Sequence, residues 1–215
     1  MSPSPSYRVI TGDCRWRLAE MPPRSVDMVL TDPPYLCRYQ SREGVRIAGD
    51  DNGDWLVPVF AQLYRVLKND SYMVSFYGWQ AVDQFMAAWK AAGFVPVEHL
   101  VFAKGYASSV RRVRRQHEMA YVLAKGRPPL PSRPISDVRG WSYTGNRLHP
   151  TQKPVESLEP LVEAFCPPGG VVLDPFCGSG SSLVAASALQ RKALGIELKP
   201  VYAERAVRRL IAMDG

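Results

Sequence analysis

The chain has 215 residues, 46% hydrophobic and 22% charged. Those are the proportions of a soluble globular protein with one sizeable core, and they exclude a disordered chain or a fibre. No run nears ~18 uninterrupted apolar residues, so no membrane span is expected. The net charge is +7, and all of it lies in residues 105–150: eight Arg and one Lys stand there against one Glu and one Asp, while the rest carries 18 basic and 18 acidic residues. That placement favours contact with nucleic acid over a merely solvated basic face. The start, MSPSPSYRVITGD, has no charged-then-apolar leader pattern, so no export is expected. Cys14, Cys37, Cys166 and Cys177 include no C-x-x-C pair. A disulfide scaffold or zinc cluster is therefore not expected, and a reducing cytoplasm is.

In chain order, Tyr7 to Ile10 reads as a short strand ended by Thr11-Gly12-Asp13. Val26 to Leu30 is a second, stopped by Asp32-Pro33-Pro34 because prolines cannot continue a ladder. Residues 36–55 read as a long polar loop, of the kind that is often functional. Val57 to Leu67 has helical spacing, Tyr72 to Tyr77 is a strand, and Ala81 to Ala92 is a helix ended by Gly93. Val95 to Phe102 and Met119 to Leu123 are strands, and 126–150, with five prolines and three glycines, reads as an irregular excursion. Then follow a helix (Val155 to Phe165), a strand (Val171 to Leu173), a Gly-Ser-Gly turn and a helix (Ser181 to Leu189). A strand (Ala193 to Ile196) and a helix (Val201 to Met213) close the chain. The alternation implies an α/β domain with a mostly parallel central sheet and helices on both faces.

Two segments carry chemistry. Asp32-Pro33-Pro34-Tyr35 places a carboxylate, a rigid turn and an aromatic ring at a strand's C-terminal end, where open α/β sheets bind ligands. The carboxylate and a neighbouring carbonyl make two acceptors for the two N–H bonds of an exocyclic amine, and Tyr35 can stack on the attached ring. The same residues also read as a strand-ending turn with a helix-capping Asp. The second segment, Asp174-Pro175-Phe176-Cys177-Gly178-Ser179-Gly180-Ser181, runs from a strand into a helix, and Glu197 follows 23 residues after Asp174 at the end of the next strand. Glycines let a ligand approach the backbone, and an acid at that spacing can hold ribose hydroxyls. There is no G-x-x-x-x-G-K-[ST] loop.

Together with His149-Pro150-Thr151-Gln152-Lys153-Pro154, these segments resemble the amino-group DNA methyltransferases that use S-adenosylmethionine, in the β-class order with D-P-P-Y before the cofactor motif. The resemblance also takes in Thr11 to Cys14, Met21 to Asp27 and Arg65 to Lys68. It implies a Rossmann-like methyltransferase fold, one domain over 1–215 with a small basic recognition insertion at about 105–148. It implies that Asp174, Pro175, Phe176, Gly178, Gly180 and Ser181 line the methionine and ribose end of the cofactor and that Glu197 holds the ribose hydroxyls. Asp13, with the backbone of Cys14, would meet its adenine, and His149, Thr151 and Lys153 would lie near its carboxylate. Asp32, with Pro33 and Pro34, would grip the target amine and Tyr35 would stack the base, which must be flipped out of the duplex. No metal is required.

Double-stranded DNA is the expected partner, met by Arg111, Arg112, Arg114, Arg115, Arg139 and Arg147. Trp141 and Tyr143 are candidates for DNA contact or for core. Cys177 lies in the cofactor turn, outside the Pro-Cys motif of a cytosine-C5 enzyme, and is assigned to packing. D-P-P-Y favours N6 of adenine. N4 of cytosine, an RNA adenine and a non-catalytic DNA-binding relic are the alternatives. The small recognition segment implies specificity that is short, relaxed or shared across a homodimer, and a cognate restriction endonuclease is a candidate partner.

Overall fold

The computed structural model describes residues 6–41, 44, 46–110, 112–145 and 148–213. The elements in order are β1 (Tyr7–Thr11), α1 (Cys14–Ala19), β2 (Val26–Thr31), α2 (Leu56–Val66), β3 (Leu67–Phe76), α3 (Val82–Ala92) and β4 (Val95–Lys104). They continue with β5 (Ser109–Val110), β6 (Arg114–Arg115), β7 (His117–Lys125), β8 (Val138–Trp141), α4 (Val155–Phe165), β9 (Val171–Asp174), α5 (Ser181–Ala188), β10 (Lys192–Glu197) and α6 (Pro200–Ile211).

Eight strands form one sheet in the order β1-β10-β9-β2-β3-β7-β4-β8. All pairings are parallel except those of β7, which runs antiparallel to both β3 and β4. The pleat sends alternate residues to opposite faces. Met28, Leu30, Tyr72, Val74 and Phe76 enter a core roofed by α4, α5 and α6, while Val29 and Met73 enter one roofed by α1, α2 and α3. Small residues such as Ser182, Ala185 and Ala186 let α5 lie close on the sheet.

The C-terminal strands β9 and β10 slot between β1 and β2. From β9 the chain crosses outward to β10, and from β2 it crosses the other way to β3. The strand order thus reverses between β9 and β2, the topological switch point where such sheets bind ligands beyond the strands' carboxyl ends. Met28 pairs with Val172 and Val29 with Leu173, so Asp32 and Asp174 leave the sheet side by side.

Three local features differ from the expectation. The excursion at 126–150 contains β8, which pairs in parallel with β4 through Val101 to Lys104. Its prolines lie outside the strand, four before it and Pro150 after it, so they do not block it. Helix α2 stops at Val66 and β3 begins without a loop at Leu67, which is already extended; inside the strand Asp70 takes a left-handed conformation (φ 54°) and its carboxylate accepts the N–H of Arg127 at 2.7 Å. Helix α1 has no counterpart in the expected elements; Asp13 caps it by accepting the N–H of Arg15 at 2.9 Å.

Candidate active site

A cavity of about 980 Å³ opens above the switch point. It is lined from both sides, by Asp13, Cys14 and the Asp174 to Ser182 turn on one and by Asp32 to Tyr35 on the other. His149, Thr151, Lys153 and Glu197 also line it, so two segments far apart in sequence share one chamber.

On the first side, carboxylates hold the turns. Asp174 is buried, accepts the N–H of Phe176 at 3.0 Å and takes the Ser182 hydroxyl; burial pushes its carboxyl up to about 7. Glu197 accepts the N–H of Gly178 at 2.9 Å and of Lys199 at 2.8 Å, which fixes its head at the cavity wall. Gly180 stands at φ 82°, and a Cβ there would meet the Ala206 Cβ at 2.8 Å, so only glycine brings the turn this close to α6. Arg209, half-buried, donates to the carbonyl of Ser179 at 2.8 Å and braces the turn from behind. His149 packs edge-on against Tyr202, and its Nδ1 accepts the N–H of Thr151 at 3.3 Å. Burial pushes the imidazole down to about 4, so it is neutral at physiological pH. Cys177 is buried against Gly195, a packing position.

The second side is built from side chains. Burial raises the Asp32 carboxyl above the ordinary carboxylate value. Its Oδ1 lies 3.0 Å from the ammonium of Lys153 and forms an ion pair with it. Lys153 donates to Tyr35 Oη at 2.9 Å, and the Tyr35 hydroxyl donates to Glu118 Oε2 at 3.4 Å. Lys104 closes on Glu118 Oε1. A Cβ on Gly78 would fall 2.2 Å from the Tyr35 carbonyl oxygen, so glycine is needed for the end of β3 to pass behind the tyrosine. Lys153, expected beside the cofactor's carboxylate, is thus in contact with Asp32 and Tyr35.

Cys37, Tyr39 and residues 46–52 form a wall. Asp50 is buried and accepts the N–H groups of Cys37 at 3.1 Å and Tyr39 at 2.5 Å. Trp55 donates to Gly49 O at 2.8 Å and meets Phe176 edge-on at 5.1 Å.

The basic segment stands at the mouth. Tyr106, Ala107 and Ser108 line the cavity, and from there β5 and β6 form a small hairpin with Arg112, Arg114 and Arg115 exposed. Arg115 stacks over the exposed ring of Trp79 at 5.3 Å. Arg139 sits on the edge strand β8, outside the cavity lining. Arg111 and Arg147 lie outside the described residues. Trp141 is buried in the core, whereas Tyr143 is exposed and lines the cavity. Four contributors were not anticipated: Glu118, Lys104, Arg209 and Asp50. Asp50 carried a faint signal as an acid in a long Gly-rich loop; nothing in the neighbouring sequence marks the other three.

Residues 26–208 match the N6/N4 methyltransferase family of DNA methylases, and the chain belongs to that family. It is 55% identical over 207 residues to YubD of Escherichia coli strain K12, described as a methylase, across 96% of this chain and 91% of that one. It is 29% identical to YhdJ of the same organism, a DNA adenine methyltransferase, across 94% of this chain and 82% of that one. The crystal structure of M1.HpyAVI in complex with SAM shares the fold, with a TM-score of 0.77 and 22% identity over 95% of this chain and 98% of that one. Among the described residues no helix is long and apolar enough to cross a membrane.

Proposed function

We propose that this DNA methyltransferase moves a methyl group from S-adenosylmethionine to N6 of an adenine flipped out of duplex DNA. The observation that carries the reading is Asp32: a part-buried carboxylate at the switch point, paired with Lys153 and in the same chamber as the glycine turn.

The first side suits the cofactor. Glu197, fixed by two backbone N–H bonds, keeps lone pairs for ribose hydroxyls, and Asp13 and Asp174 add acceptors for the other donors. Gly178 and Ser181 keep the wall low, with Pro175 and Phe176 flanking them, and Gly180 lets the turn sit close on α6 behind them. Cys14, His149 and Thr151 close the rim. When bound, the cofactor supplies a methyl group on a positively charged sulfur. An exocyclic amine is a poor nucleophile because its lone pair is delocalised into the ring. Asp32 and the Pro33 carbonyl accept its two N–H bonds, which favours a tetrahedral nitrogen and localises that pair. Pro34 keeps the turn rigid, and Tyr35 stacks the base. Catalysis is positioning and charge complementarity, with no covalent enzyme intermediate.

The exposed arginines of the hairpin hold the DNA backbone at the mouth, and Arg139 adds a charge on the edge strand β8. D-P-P-Y, where N4 enzymes favour S-P-P-Y, supports adenine, and the likeness to YhdJ points the same way. The test is mass spectrometry of nucleosides from unmethylated genomic DNA incubated with protein and methyl-labelled cofactor. Labelled N6-methyladenine is the expected product. Labelled N4-methylcytosine would correct the base, label in structured RNA alone would correct the polymer, and no label in any nucleic acid would contradict the enzymatic reading.

A further inference from the structure

The target side of the cavity gathers two lysines and two carboxylates. Lys153 stands between the acids, 3.0 Å from Asp32 Oδ1 and 3.9 Å from Glu118 Oε2, with its side chain only 9% exposed. Glu118 is held from its other side by Lys104, which is also buried. Apolar rings complete the cup: Tyr35 and Phe76 lie 5.0 Å from the Lys153 ammonium and Trp141 lies 5.5 Å away. Buried charges cost desolvation, and apolar residues of the same volume would hold a sheet as well or better. Two buried lysines and the part-buried Glu118 beside the amine's acceptor therefore call for a role in the reaction.

We propose that Lys153 is a positioning residue that keeps Asp32 ionised and aimed at the amine, and that Glu118, braced by Lys104, fixes Lys153 in place. The proposal rests on the reading of Asp32 as the amine's acceptor. A protonated Asp32 would present an O–H donor to an amine that itself offers donors, and the grip would be lost. Burial drives Asp32 toward that neutral form, and Glu118 from β7 pushes the same way. Lys153 opposes both, and Tyr35 adds a hydroxyl from the same turn. Lys104 and His149 stand one neighbour further out, beside Glu118 and near Lys153. Glu118 has a second effect: it shares Lys153 with Asp32 and so sets how much of the ammonium's charge Asp32 receives.

The two partners then make predictions of opposite sign. Lys153→Met removes the facing cation, so the acid limb of the rate profile moves up by about one pH unit or more. Glu118→Gln removes a facing anion and leaves Lys153 to Asp32 alone, so the limb moves down. The experiment measures kcat/KM for methyl transfer to genomic DNA against pH for the wild type and both variants. Calorimetry gives each protein's dissociation constant for S-adenosylmethionine. Expected are limbs displaced in opposite directions, with cofactor affinity within about threefold of wild type. Three results would overturn the proposal. A Lys153→Met protein with unmoved limb and tenfold weaker cofactor binding would make Lys153 the cofactor's ligand. Slower transfer in both variants with neither limb moved would make the network merely structural. A wild type that methylates no nucleic acid overturns the underlying reading as well, and shows itself without any variant. Glu118→Gln is isosteric and carries its own sign, so it decides the matter even if Lys153→Met fails to fold.

Discussion

On the cofactor side of the cavity, Asp174, Glu197 and Asp13 each accept a backbone N–H, from residues two positions away and, for Gly178 and Glu197, nineteen. On the target side, Tyr35 meets Glu118 across 83 residues of chain and Lys153 across 118. The first side is thus a set of turns whose carboxylates satisfy orphan N–H groups, and it forms with the local backbone. The second exists only when β2, β7 and the segment before α4 have packed together. The difference teaches that the proposed cofactor seat is held mostly by local turns, while the proposed target seat is a property of the whole fold.

That contrast can be broken, and the largest effect comes from the turn. Gly180→Val places a branched side chain at φ 82° and against Ala206. We expect a loss of about 2 kcal/mol or more in stability. Cofactor affinity should fall by about tenfold or more, read by thermal unfolding and calorimetry; near-normal affinity would mean the turn is not the cofactor's cradle. A middle effect lies at the mouth. Changing Arg112, Arg114 and Arg115 to Gln should weaken DNA binding and flatten its log–log salt dependence by about 0.9 for each phosphate left unneutralised. An unchanged slope in fluorescence anisotropy would move the DNA face elsewhere.

The smallest effect is a pH dependence confined to the cofactor side. Burial pushes Asp174 up to about 7 from an ordinary 3.8. Between those values the folded chain keeps a proton that the unfolded chain has released, so this group's contribution is present at low pH and is lost as pH rises through the window. Asp174→Asn has no such proton; its Oδ1 can still accept the N–H of Phe176, and its Nδ2 can donate to the Ser182 oxygen. Its Tm relative to wild type should therefore climb from pH 4 to pH 8, and a constant difference would show that Asp174 titrates normally.

The same contrast explains what the sequence reveals. Strand β9, the glycines, α5, β10 and Glu197 follow one another in order, so their relation is readable as spacing. Asp32 to Tyr35 is readable as a motif because proline stiffness and a strand end are local facts. Strand β8 is hidden because a four-residue edge strand has almost no period to detect and lies behind prolines. Glu118 and Lys104 sit on strands where a charge ordinarily signals an outward face, and only the pairing of β7 with β3 and β4 turns them toward the cavity. Lys153 is legible as part of H-P-T-Q-K-P, but its partner is not, because the choice between a cofactor's carboxylate and Asp32 is made by packing. Arg209 lies on α6 among other arginines, and nothing in that run distinguishes the one that reaches the carbonyl of Ser179.

The central claim is that Asp32 acts on the target amine and not on the cofactor. The most direct test is one paired measurement on Asp32→Ala: the dissociation constant for S-adenosylmethionine by calorimetry, and methyl transfer to genomic DNA by label incorporation. The account predicts cofactor binding within about threefold of wild type and transfer reduced by about 1,000-fold or more, as expected when preorganised acceptors are removed. Loss of cofactor binding, or transfer that survives, would contradict it.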